Sequence, residues 1–185
     1  MLQVTVGATV RGITGKGPMR RLRMAGKTPG VVYCGGKQAL VLEFETSALW
    51  KELYSLHQRN AVITLKVEGE QQAERHTLVQ EIQKDPVTGK LIHVDFLEIS
   101  LEAPKTFEVP IEFTGTAQGV AMGGELQVHR SSVHLQGKPL DIPDTVTVDL
   151  TPLKKGEAGY TLGDLVLPAG VTMLDKPTLP CVVVH

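Results

Sequence analysis

Apolar and polar side chains take turns along much of this chain, and that period of two limits its fold more than any other feature. In "LIHVDFLEI" (Leu91–Ile99), Ile92, Val94 and Phe96 fall on one side, with His93 and Asp95 on the other. "TFEVPIEF" sets Phe107, Val109, Ile111 and Phe113 against Glu108, Pro110 and Glu112, and "DTVTVDL" turns Val146, Val148 and Leu150 to one face. Alternation of this kind marks strands buried on one side only. Pro110 has no N–H to give a ladder, so its strand is expected at a sheet edge. The fold expected is mainly β with few helices. A β-rich N-terminal domain over residues 1–99 is followed by a nearly all-β domain over 100–185. The boundary falls in "EISLEAPKT", where the charge balance changes sign.

Two stretches break the alternation. "TSALWKELYSLH" carries Leu49, Leu53 and Leu56 at helical spacing, with Thr46 placed to cap and Trp50 and Tyr54 widening the apolar stripe. "PMRRLRMAGK" opens on Pro18, which suits a first helical turn, and Gly26 can end it. On such a helix Arg20, Arg23 and Lys27 share one face, while Met19, Leu22 and Ala25 turn the other way. "KDPVTGK" (Lys84–Lys90) is a tight-turn signature. It folds strand 77–84 back on strand 91–97 and brings Gln80 and Gln83 near His93 and Asp95.

Charge is unevenly spread. The net value is −1, yet residues 1–42 hold seven Lys and Arg and no acid at all. Residues 1–99 carry 13 basic groups against 10 acids, and residues 100–185 carry 6 against 10. A one-sign patch at one end suits a polyanion that touches that end. A solvated surface is the plainer reading. Against it stand the preference for Arg in "RRLR", the flanking glycines that let backbone N–H groups approach an anion, and the missing acids. Nucleic acid is the natural target. Aromatics make up only 4% of the chain, too few for a base-stacking strip, and no helix-turn-helix or zinc-finger pattern is present. A folded RNA fits better, because its minor groove is wide and shallow. Cations would hold phosphates, and Gln80, Gln83, His93 and Asp95 would read base edges and 2′-hydroxyls. An ordinary solvated sheet face explains those four residues as well.

Other chemistries find little support. Gly7 to Gly12 has the spacing of a phosphate loop, but Ile13 and Thr14 follow where Lys and Ser or Thr are needed. Cys34 with His93 and Asp95 does not form a relay, since the last two project side by side from one strand. Those two lack further ligands for a metal, and no cofactor is expected. No apolar run reaches the ~20 residues of a membrane helix. Two cysteines far apart suggest a reducing cytoplasm.

"GKGPMRRLRMAGKTPGVVYCGG" and "QEIQKDPVTGKLIHVDF" together resemble the bacterial large-subunit ribosomal proteins, number twenty-five in their series, that bind 5S rRNA. "VPIEFTGTAQGVAMGGELQV", "DIPDTVTVDLTPLKKGE" and "DLVLPAGV" resemble the long, two-domain form known as general stress protein CTC. The resemblance implies a six-stranded β-barrel, a C-terminal β-domain, no catalysis, and a non-Watson–Crick internal loop of 5S rRNA as the target. RNA-contacting positions implied are Arg11, Lys16, Arg20, Arg21, Arg23 and Tyr33, then Gln80, Gln83, Lys84, His93 and Asp95. It also implies a cytoplasmic, ribosome-associated protein, monomeric off the ribosome, whose C-terminal domain touches neighbouring ribosomal proteins or rRNA. A stress-induced RNA-binding adaptor, with the acidic domain holding a protein partner, is the alternative. Departures from the family pattern are Met19 where a small hydroxyl residue is common, the extra Cys34, and Lys84–Asp85 in place of Arg-His.

Overall fold

The computed structural model describes residues 1–36, 38–56, 60–69, 74–156 and 159–184. Lys37 of the basic segment and His57 of the second expected helix lie outside the described residues. Two compact units result, Leu2–Leu101 and Glu102–His185, with Met1 grouped with the second.

In the first unit the order is β1 (Leu2–Val10), α1 (Lys16–Met24), β2 (Lys27–Tyr33), β3 (Leu40–Glu45), α2 (Thr46–Ser55), β4 (Ala61–Glu68), β5 (Glu74–Lys84) and β6 (Leu91–Glu98). The strands close into a barrel in the order β1-β3-β2-β6-β5-β4. The seam between β1 and β3 is closed by the pairs Thr9–Glu43 and Val10–Leu42. β1 runs parallel to β4 and β2 parallel to β6, while the remaining neighbours are antiparallel. Alternation sends Leu42, Ile63, Leu65, Val94 and Phe96 inward, each with no exposed surface. The rings of Phe44 and Phe96 meet at the centre, 5.2 Å apart and tilted by 43°. A Cβ on Gly30 would stand 2.7 Å from Phe44 Cε2 and 2.7 Å from the Val94 carbonyl oxygen. Only glycine lets β2 pass that close.

Both helices of this unit depart from expectation in detail. α2 buries Leu49, Leu53 and Leu56 in the barrel core as its spacing demands. Trp50 and Tyr54 do not widen that stripe; they are 37% and 67% exposed. Each is one step, about 100°, past a buried leucine, which carries it off the core face. Thr46 does not cap either. It is the first helical residue, and its hydroxyl pairs with that of Thr28 at 2.8 Å. α1 starts two residues before Pro18, at Lys16, which leaves Pro18 inside the first turn, where helical N–H groups have no acceptor. Gly26, at φ 80°, ends the helix in the left-handed region. Beyond it, Lys27 belongs to β2 rather than α1 and pairs with Glu43 at 2.5 Å. Met19 and Leu22 are half-buried, whereas Ala25 is exposed.

The second unit contains β7 (Lys105–Thr114), α3 (Gln118–Ala121), β8 (Leu126–Val128), β9 (Ser132–Gly137), β10 (Val146–Asp149), β11 (Tyr160–Thr161), a 3₁₀ turn (Leu162–Asp164), β12 (Thr172–Met173) and β13 (Pro180–Val184). Its sheets run β10-β7-β9-β12 and β11-β13-β8. Phe107, Val109, Ile111, Val146, Val148 and Leu150 are buried, as their alternation requires. The edge position expected from Pro110 is not found, for β7 lies inside its sheet. β9 pairs with β7 as far as Pro110, and β10 pairs from Ile111 onward. The proline sits where one partner gives way to the other, so its missing N–H removes no bond from a continuous ladder. No helix among the described residues is long and apolar enough to cross a membrane.

Candidate nucleic-acid interface

The outer faces of β2, β6 and β5 form one continuous surface. Parallel pairing sets Val31 beside Asp95 and Tyr33 beside Leu97, and antiparallel pairing sets Gln83 opposite His93 and Glu81 opposite Asp95. Because Val94 and Phe96 point inward, their neighbours His93 and Asp95 must point out. Two breaks in register refine this face. Val79 pairs with Phe96 and Glu81 with Asp95, which leaves Gln80 as an extra residue on β5. In such a bulge two residues oppose one, so Gln80 and Glu81 share the level of Asp95. Further on, Gln83 pairs with His93 but Lys84 with Leu91, and Ile92 is the extra residue on β6.

That second bulge frees a carbonyl, and α1 uses it. Arg23 donates its Nε–H to the Ile92 carbonyl oxygen at 3.0 Å. The helix that carries the cations is thereby tied to the residue next to His93. Arg20 lies one turn before Arg23 on the same side of α1. Arg21 lines the hollow between α1 and the segment Val10–Ile13.

The basic side chains fall into two groups. Lys16, Arg20 and Arg21 are exposed and make no hydrogen bond or ion pair to another described residue. Arg11, Arg23 and Lys84 are already engaged. Arg11 donates Nε–H to the Leu42 carbonyl at 3.0 Å, and its Nη1 donates to the Ile13 carbonyl at 3.2 Å and to Met19 Sδ at 2.9 Å. Burial pushes its pKa down from the ordinary arginine value, opposed by the charge of Glu43. Met19 thus uses its sulfur to hold Arg11. Lys84 places its ammonium 4.7 Å from the centroid of the Trp50 ring.

His93 donates from Nδ1 to Asp95 Oδ1 at 2.5 Å. A proton held at Nδ1 makes Nε2 an acceptor in the neutral ring. Gln83 donates through Nε2 to Glu81 Oε1 at 3.1 Å. Hydrogen-bond acceptors and amide donors therefore stand together on a half-exposed sheet, which is the equipment for reading polar edges. Tyr33 stands on the same face, one strand over and two residues further along.

Asp85, the acid among these cations, serves the hairpin turn. Its Oδ1 accepts N–H bonds from Val87 at 2.9 Å and Thr88 at 2.8 Å. Those bonds, with Thr88 first, hold its carboxyl below the usual aspartate range. A depressed carboxyl stabilises above the unfolded-state pKa and stops doing so as pH falls through its own lower value. Amide protection at Val87 and Thr88 should persist through the ordinary aspartate range and disappear only below it. Hydrogen exchange followed by NMR checks this, and Asp85→Ala should abolish the protection at every pH.

The sequence comparisons bear on what this surface is. A profile of the ribosomal L25p family matches residues 6–96, and one of the ribosomal protein TL5 C-terminal domain matches residues 104–185. The large ribosomal subunit protein bL25 of Desulfotalea psychrophila is 44% identical over 174 residues, 94% of this chain and 93% of that relative. The chain belongs to the ribosomal L25p family. That of Geobacter metallireducens is 36% identical over 185 residues, all of this chain and 94% of the relative. The relative from Anaeromyxobacter sp. is 40% identical over 158 residues, 85% of this chain and 65% of its own length. L25p proteins are structural components of ribosomes and not enzymes. The matched span contains every candidate RNA-contacting residue, from Arg11 to Asp95.

Two participants in this L25p surface, the Ile92 carbonyl and Glu81, are missed by the sequence reading, while Gln80 is expected there. The Ile92 carbonyl is exposed for use only by a register shift, which no side chain announces. Glu81 shares the parity of Gln83 and was open to detection. Gln80 joins the face through a bulge whose trace is legible: from Val79 to Ile82 the apolar spacing is odd, so the strand changes phase.

Proposed function

We propose that this chain is a structural RNA-binding protein of the large ribosomal subunit that binds 5S rRNA at a non-Watson–Crick internal loop. It works on cytoplasmic ribosomes. Lys16, Arg20 and Arg21 hold phosphates, and Gln80, Gln83, His93 and Asp95 read the irregular minor groove, with Tyr33 at the margin. Arg11 braces the loop ahead of α1, and Arg23, through its Nε, sets the distance from α1 to the hairpin. Lys84 supplies charge from its place on Trp50. Residues 1–99 form the RNA-binding domain, and residues 100–185, with 6 basic groups against 10 acids, contact ribosomal neighbours.

One observation carries this reading. The Arg23–Ile92 bond joins the cation-bearing helix to the polar hairpin, so a single RNA can span both. Phosphate contacts position an RNA, and contacts to base edges specify it. Gln83→Ala or Asp95→Ala should therefore cost roughly 1–3 kcal/mol of discrimination between the intact internal loop and a fully paired duplex. Affinity for the duplex should hardly change. Filter-binding titrations of the full chain with both RNAs measure this. Equal losses on the two would sink the assigned reading role.

A further inference from the structure

An open groove of about 810 Å³ lies within the barrel unit beside the hairpin. Its lining includes Arg23 and Met24 from the end of α1, Glu45 and Trp50 around the start of α2, and Lys90 and Ile92 of the hairpin. Cavities of about 300–1,000 Å³ accept small ligands. We infer that this groove seats one unpaired nucleotide of the bound RNA, its base against Trp50 and its phosphate toward Arg23 and Lys90. The inference rests on the RNA-binding reading above and adds a separate subsite to it.

Several observations converge. Trp50 is 37% exposed although it adjoins a buried leucine on its helix, and Met24 across the groove is 78% exposed. Lys84 stands over the indole without being among the residues that line the groove. Net charge does not choose the ligand: Lys27 is neutralised by Glu43, and Arg23 and Lys90 share the groove with the carboxylates of Glu45 and Asp85, so the free part of the Arg23 fork and the exposed indole do. Arg23 spends Nε on Ile92 and keeps the rest of its fork for a phosphate oxygen. Continuity decides in favour of a nucleotide over a peptide. Arg23 and Ile92 belong both to the groove and to the joint between helix and hairpin, so a base swung out of the gripped strand enters without a second partner. Stacking on an aromatic face tolerates any base, because every base has a π surface.

Trp50 is the single tryptophan of the chain, so its emission reports on the groove and on Lys84 above the ring, and acrylamide quenching of Lys84→Ala separates the two. The full chain is titrated with 5S rRNA, with anisotropy of end-labelled RNA following binding and acrylamide quenching following access to Trp50. At saturation, emission should fall and acrylamide access should drop. Trp50→Leu should weaken binding about tenfold, the worth of one stacked base, without altering the salt dependence. Trp50→Phe, which keeps a π face, should restore most of the loss. Emission and quenching that stay unchanged while anisotropy reports bound RNA would overturn the subsite and leave the RNA-binding reading intact. Absence of an anisotropy change would remove both. Thermal melts followed by circular dichroism check that Trp50→Leu is folded; if it is not, Trp50→Phe and the quenching data decide.

Discussion

Replacing Arg20 and Arg21 together by alanine should lower the affinity for 5S rRNA about 100-fold or more, since each charged hydrogen bond is worth roughly 1.5–3 kcal/mol. The plot of log K against log salt should also become shallower by about 1.4–1.8 units, the signature of two phosphates no longer neutralised. Both effects follow from the same fact. These two guanidinium groups are exposed and have no described partner within the protein. Removing them breaks no side-chain hydrogen bond or ion pair among the described residues, so the loss is expected in binding. Arg23→Lys provides the contrast. It keeps the charge and loses the Nε donor that reaches Ile92, so the slope should hold while selectivity for the internal loop declines. Titrations at several salt concentrations read slope and affinity together. An unaltered slope in the double variant would refute the phosphate assignment.

Phe96→Ala should cost about 3–5 kcal/mol of stability in the barrel unit, the range for emptying a buried phenylalanine site. Domains of this kind are stable by only about 5–15 kcal/mol, so the loss is a large share of the total. Phe96 has no exposed surface and packs against Phe44, whose ring in turn covers Gly30. Collapse around the cavity would have to move β2 against β6, and those two strands carry Tyr33, His93 and Asp95. Urea unfolding should show a lower midpoint for this unit, and RNA selectivity should decline with it. A cost below about 1 kcal/mol would mean the barrel repacks freely, contrary to the rigidity expected of a filled core. Retained selectivity would separate the core from the reading face.

Much of this architecture was readable from residue order. Alternation in "LIHVDFLEI" and "TFEVPIEF" assigns inward and outward positions because a strand has a period of two, except at Ile92, expected beside Val94 and Phe96 but displaced by the bulge so that Leu91 is buried in its place. "KDPVTGK" marks the hairpin because Asp85 supplies a carboxylate for the turn's own N–H groups. Trp50, Thr46 and Pro110 were misread. For Thr46 and Pro110 the position depends on distant packing, a hydroxyl on Thr28 and a change of strand partner at Ile111, whereas Trp50 is carried off the core face by the helical step after Leu49, which the sequence already contains.

Residue order alone determined the strand parities away from the two bulges, the hairpin and the gathering of cations ahead of the first acid, since periodicity, turn chemistry and charge are properties of adjacent residues. Which cations remain available to a ligand was decided only by the tertiary structure. Arg11 meets a carbonyl 31 residues away and Arg23 one 69 residues away. Chain segments so far apart are brought together by barrel closure and by a bulge at Ile92, and a guanidinium binds whichever acceptor the folded backbone leaves open.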